Sequence, residues 1–302
     1  ISTALSERWG LSGKDARTLL GCGAAAAVAA SFNAPIAGML FALEVILGNY
    51  ALSVFGPVAL SSIAAAVIAR IHLTDVRAFI IPLYGDSGPW DIPFSAALGL
   101  VCGGVAFVFL LGASSLNLWV RRKVAKWRIE PALLPPIAGM LMGTIALFYP
   151  EVLGVGYEAT TEAIQGSYTI RLLTILLCIK LVATMVCLAF RFGTGVFSGG
   201  IVFGAMSGAA FGAVLDLAVP GITADPTFYA MVGMGAVSGA ILGAPISTTL
   251  IVFELTGDYQ MTIALMIAVG IATIFSQAFF GASWFHWQLN QRGYDLSEGP
   301  QG

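Results

Sequence analysis

Charge is scarce in this chain: 14 lysines and arginines and 16 aspartates and glutamates make up 10% of its 302 residues. A soluble domain carries about 25%, so an ordinary water-facing surface is excluded. The formal net charge of −2 leaves no basic excess of the kind that binds nucleic acid. Histidine is nearly absent too. His72 and His286 lie far apart near apolar span ends, and no HExxH spacing exists, so neither a zinc site nor a proton relay is indicated. The four cysteines, Cys22, Cys102, Cys178 and Cys187, lack CxxC or Cys/His spacing and read as small buried hydrophobes. A membrane-embedded serine protease would need a GxSG serine and a mid-span histidine. Gly235-Ala236-Val237-Ser238-Gly239 has one residue too many, and no histidine is placed to serve it, which argues against an enzyme. The chain opens on ISTALSERWG with neither an initiator methionine nor a signal peptide, and it reads as a fragment of a longer protein.

What fills the chain instead is apolar: 58% hydrophobic residues and a mean hydropathy of +0.90. Apolar segments fall near 19–32, 36–48, 51–70, 94–119, 131–149, 171–190, 201–217, 227–242, 245–256 and 260–281. Several are shorter than the roughly 20 residues that cross a bilayer. Breaks at Asn33-Ala34-Pro35 and Gly243-Ala244-Pro245 predict discontinuous helices that stop inside the membrane. Asn33 is placed to cap the helix that follows it. The basic run RRKVAKWR, Arg121 to Arg128, reads as a cytoplasmic loop by the positive-inside rule. The stretch 71–93, with Asp75, Asp86 and Asp91, reads as an outside loop, and the polar tail 286–302 as cytoplasmic. Gly204, Gly208 and Gly212 have the spacing that lets helices approach closely. One integral, multi-pass membrane domain over 1–302 is expected.

Thirty residues occur twice. GCGAAAAVAASFNAPIAGMLFALEVILGNY, 21–50, aligns without a gap on MVGMGAVSGAILGAPISTTLIVFELTGDYQ, 231–260. Gly23 meets Gly233, Ala34-Pro35-Ile36 meets Ala244-Pro245-Ile246, and Glu44 meets Glu254. Such duplication predicts a transporter or channel built from two repeats, with its substrate site at the repeat interface. Glu44 and Glu254 are intramembrane acids, functional candidates by default. Their symmetric places near the far ends of their helices favour a second reading, structural capping or pairing. Lys180, mid-span in ILLCIKLVATMV, calls for a buried partner, with one of these acids a candidate.

Arg191-Phe-Gly-Thr-Gly-Val-Phe-Ser-Gly-Gly200 closes one span and opens the next. Its glycines permit tight turns, and a helix start presents backbone N–H groups and partial positive charge. Such an amide cradle holds an anion weakly enough to release it. The alternative is a glycine-rich packing turn.

NAPIAGMLFALE, GTGVFSGG and GAPISTTLIVFELTGDY, in this order and spacing, resemble the CLC chloride channels and proton-coupled chloride transporters. The resemblance runs from about Leu11 to Leu296. It implies an all-α membrane protein, an inverted-repeat fold of discontinuous and tilted helices, and a homodimer with an anion pore in each subunit. It also implies chloride as the ligand, no other cofactor, no catalysis, and a bacterial-type inner membrane as the location. The family's GxFxP loop maps onto Gly195, Val196, Phe197, Ser198 and Gly199, with glycine in place of proline and the loop correspondingly less constrained. The family's gating glutamate and pore serine are expected before Ile1. The internal proton-transfer glutamate falls on Val45, a channel-like state, and the pore tyrosine falls on Phe285. Passive or weakly proton-coupled chloride movement is therefore the leading expectation. Strict chloride/proton exchange, or carriage of fluoride or nitrate, is the alternative.

Overall fold

A computed structural model describes residues 2–48, 50–73, 79, 82, 88–128, 130–220 and 223–293. Every regular element among them is helical. The chain divides into two compact units, one made of 1–80 with 244–263 and the other of 81–243 with 264–302.

The first unit contains α1 (Ser2–Arg8), α2 (Gly13–Phe32), α3 (Pro35–Phe41), α4 (Leu52–Leu73) and, from far along the chain, α11 (Pro245–Thr256). Ser12 starts α2 by accepting a hydrogen bond from the Asp15 N–H, and Asn33 ends it in the left-handed region at φ 53°. Asn33 thus closes the preceding helix instead of capping the next. α3 begins at Pro35 with Ala34 as an N-cap that offers no side-chain acceptor. The Asn33 Oδ1 accepts from the Arg70 Nε at 2.6 Å. One π-helical turn, Ala42–Leu47, continues α3 and carries Glu44 and Val45.

The second unit contains α5 (Asp91–Trp127), α6 (Leu134–Ala146), α7 (Tyr157–Ile164), α8 (Ile170–Ala189), α9 (Val196–Ala218) and α10 (Pro226–Leu242). α12 (Tyr259–Phe280) begins in the first unit and continues into the second, where α13 (Trp284–Asn290) follows. Its centre is the pair α9 and α10. Gly204 stands against the Gly233 carbonyl, Gly208 against the Tyr229 carbonyl, and Gly212 lies 2.8 Å, measured from an added Cβ, from the Pro226 Cα. The glycine spacing therefore permits backbone-to-backbone approach, as expected from a small residue every fourth position.

Two expectations are corrected here. RRKVAKWR is no loop: it forms the last turns of α5, which ends only at Arg128 in the left-handed region. At 37 residues α5 is about 55 Å long, well beyond a hydrocarbon core of about 30 Å, so its basic end belongs to the interface. Asp91 is not a loop residue either. It is 1% exposed in the first turn of α5, and its carboxylate accepts from the Gly88 and Ala224 N–H groups and the Tyr229 hydroxyl at 2.6–2.8 Å. Asp75 and Asp86 lie outside the described residues. The tail contains α13 through Asn290, and positions 294–302 lie outside the described residues.

Among the described residues, five stretches are long and apolar enough to cross a membrane: Leu52–His72, Asp91–Trp127, Ile170–Ala189, Val196–Ala218 and Tyr259–Asn290. Pro35–Leu47, Pro131–Ala146, Pro226–Leu242 and Pro245–Thr256 are apolar but shorter, as discontinuous helices require. On α4, Leu60, Ile63, Val67, Ile68 and Ile71 are all exposed, a face suited to lipid and costly in water. The chain is an integral, multi-pass, all-α membrane protein. Cys178 departs from the buried reading of the cysteines, for it is exposed on α8.

Candidate functional site

The repeat is visible as backbone geometry. Asn33 (φ 53°, ψ 36°) and Gly243 (φ 68°, ψ 35°) end their helices in the left-handed region. Ala34 (φ −126°, ψ 79°) and Ala244 (φ −128°, ψ 63°) then redirect the chain into a proline-started helix. Within the first unit the two acids are exchanged between these helix starts. The Glu44 carboxylate accepts from the Ile246 and Ser247 N–H groups at 3.1 and 2.8 Å and from the Ser247 hydroxyl at 2.7 Å. The Glu254 carboxylate accepts from the Ile36 and Ala37 N–H groups at 3.0 and 2.7 Å. Each acid satisfies amides that a helix start leaves without intrahelical partners, with charge of the sign that end favours. Of the two readings open for these acids, capping is the one the geometry supports.

The glycine-rich loop lies in the second unit. α8 ends at Ala189, and Arg191 turns the chain at φ 58°. α9 then starts at Val196 with Gly195 as an N-cap offering no side-chain acceptor. Gly199 closes the first turn, its N–H donating to the Gly195 carbonyl at 3.1 Å. Proline at 199 could not make that bond. The Ser198 hydroxyl donates to the same carbonyl at 3.1 Å.

A cavity of about 450 Å³ opens beside this turn. Gly193, Thr194, Gly195 and Ser198 line it, together with Lys180 and Thr184 from α8. Val196 is buried and Phe197 half-buried. Neither is among the residues lining the cavity, nor is Phe285, which is half-buried at the second position of α13. The structure thus brings Gly195 and Ser198 to one space with a cation, and leaves Phe285 outside that lining.

Lys180 is 6% exposed, and its partners are not the acids considered for it. Its Nζ donates to the Val152 carbonyl at 2.6 Å and the Gly154 carbonyl at 3.1 Å. Carbonyl dipoles stabilise an ammonium without cancelling its charge. Segment 152–155, which carries these carbonyls, was not singled out by sequence reasoning. The signal available was the paired glycines of Leu153-Gly154-Val155-Gly156, both left-handed here, at φ 64° and 91°. Ser238 is 1% exposed and donates to the Met234 carbonyl at 2.8 Å, an ordinary buried helix serine.

The family description "Voltage gated chloride channel" fits residues 1–277. A putative chloride channel protein ClcB-like from Ralstonia nicotianae is 31% identical over 252 residues, 83% of this chain and 58% of that protein. An H(+)/Cl(-) exchange transporter ClcA from Vibrio parahaemolyticus is 29% identical over 268 residues, covering 87% of this chain and 57% of its own length. The chain therefore spans somewhat over half the length of these relatives. A crystal structure described as a slow cyanobacterial Cl-/H+ antiporter superposes with a TM-score of 0.86 at 19% identity, covering 99% of this chain and 70% of that one. This likeness shows the fold, and the family match over most of the sequence goes further: the chain belongs to the voltage-gated chloride channel, or CLC, family.

Proposed function

We propose that this protein moves small anions, chloride first among them, across a membrane by a CLC-type pathway, with the start of α9 as the ion-holding element. The observation that carries the reading is the glycine-capped turn Gly195–Ser198 facing a cavity whose wall holds the buried Lys180 ammonium. Backbone amides and a carbonyl-held cation attract an anion without binding it so firmly that it cannot leave. The CLC resemblance assigns the ion to the Val196 and Phe197 amides, with Ser198 beside them and Phe285 as an aromatic wall without a hydroxyl; of these four, Ser198 is the one that lines the cavity. The ion is the ligand, and the reading needs no cofactor, nucleic acid or catalysis. It extends to a homodimer with one anion path per subunit in a bacterial-type inner membrane, supported by the family and by its Ralstonia and Vibrio relatives.

In liposomes the full-length protein should pass chloride down its gradient, read with a chloride electrode, and should exclude potassium. Potassium flux without chloride flux would overturn the proposal.

Coupling to protons is a separate matter. Val45, half-buried in the π-helical turn, has no titratable group, which favours uncoupled movement. The exchange activity in the Vibrio relative's name favours the other reading. We expect no uphill proton movement when a chloride gradient collapses, checked with a pH electrode outside the vesicles. A fixed chloride-to-proton ratio would mean that protons cross without an acid at position 45.

A further inference from the structure

A second cavity, of about 530 Å³, lies in the second unit, where the C-terminal ends of α5, α8 and α13 meet the start of α6. Three guanidinium side chains line it: Arg121 from α5, Arg191 after α8 and Arg292 after α13. Among the described residues, no acid lines it. Asn117 and Gln288 complete its polar wall. Asn117 is 8% exposed, and its buried Oδ1 has no hydrogen-bond partner. Turned over, the same amide presents its NH2 group instead. The floor is apolar, formed by Val120, Leu134 and Ala189, which pack on one another.

We propose that this cavity binds a phosphate-bearing ligand, with the three arginines on the phosphate oxygens and the apolar floor against the rest of the molecule. Three full positive charges outweigh the roughly half negative charge that each helix C-terminus brings. Guanidinium forks match phosphate geometry, and basic pockets between membrane helices at the interface take anionic head groups. The site stands at interfacial depth. Lys123, on the same end of α5, lies 5.5 and 5.2 Å from the Trp119 and Trp127 rings, a pairing typical of the head-group layer. The phosphate could belong to a lipid head group or be free in solution, and the test separates these sources.

Native mass spectrometry of the full chain in neutral micelles, titrated with phosphatidylglycerol in one arm and inorganic phosphate in the other, reads both. Arg121→Gln, Arg191→Gly and Arg292→Gln together should weaken binding at least about tenfold. The glycine at 191 suits the left-handed backbone. A matched triple, Arg122→Gln, Lys123→Gln and Lys126→Gln, removes the same charge from the same helix end outside the cavity, and it should change binding by no more than about threefold. Arg292→Gln alone, beyond the last helix, serves if the triple does not fold: it should weaken binding about threefold, against no more than about 1.5-fold for Arg122→Gln alone. Loss in the phosphatidylglycerol arm assigns the site to lipid, and loss confined to inorganic phosphate assigns it to a soluble ligand. Equal loss in both triples, or loss in neither, would overturn the site.

Discussion

Gly208→Ala should strip the protein of its stable fold, while the same change at Gly104 should leave it intact. A methyl at Gly208 would meet the Tyr229 carbonyl oxygen, with the Tyr229 carbonyl carbon at 2.8 Å and the Ala230 Cα at 2.9 Å. All three are backbone atoms of α10, so no rotamer change relieves them. The helices must separate, and Gly204 and Gly233 lose their approach together. Overpacking a rigid core costs about 1–3 kcal/mol, and a clash with backbone belongs at or above the top of that range. Gly112→Ala is the graded control. Its methyl would meet only the Met185 thioether, 2.7 Å to the sulfur, and a flexible methionine can move aside. At Gly104 nothing lies within 4 Å, so alanine should be neutral or stabilise by up to about 1 kcal/mol through helix propensity. Thermal unfolding in detergent orders the three. A Gly208→Ala protein melting with Gly104→Ala would show that α9 and α10 do not pack as described.

The same pair of helices shows what could be read in advance. Gly204, Gly208 and Gly212 fall every fourth residue, so close packing was legible from spacing alone. The breaks at Asn33 and Gly243 were legible because proline and a small αL-tolerant residue act locally. Their backbone angles agree to within about 30° across the repeat, although Asn33 ends a helix instead of starting one. The Gly195 turn was legible for the same local reason. What escaped depends on contacts between distant positions. Asp91 carries charge beside a run of turn residues and so reads as loop, until Ala224 and Tyr229 arrive from over 130 positions away. Lys180 invites an acidic partner in any linear reading, yet two carbonyls of a glycine-rich segment hold it. The basic run fits a loop by charge and a helix by propensity, since Arg, Lys, Ala and Val all tolerate helix. Whether α5 stops at the membrane edge or runs past it depends on what its last turns pack against. Leu134 and Ala189, far apart in sequence, supply that packing against Val120.

Glu44→Ala should destabilise the fold by about 2–4 kcal/mol, and Glu254→Ala by slightly less, because each leaves the amides of a half-buried helix start without an acceptor. Glu44 has three donors on it and Glu254 two. At about 1.5–3 kcal/mol per bond to a charged group, simple addition would exceed these values, but neighbouring bonds share one carboxylate and do not add. Glutamine at either position keeps one oxygen acceptor and turns an NH2 toward an amide N–H, so it should cost an intermediate amount, about 1–2 kcal/mol. The reciprocal arrangement adds a second expectation. α3 and α11 each depend on the acid carried by the other helix, so loosening one start displaces the acid that caps the other. The double alanine substitution should therefore cost less than the sum of the singles by at least about 0.5 kcal/mol. If these acids served ion or proton movement alone, glutamine would change flux and leave the melting temperature in place. Unfolding in detergent, followed beside chloride flux in liposomes for the same five variants, distinguishes the roles. Unchanged melting with altered flux would remove Glu44 and Glu254 from the framework and return them to the transport path.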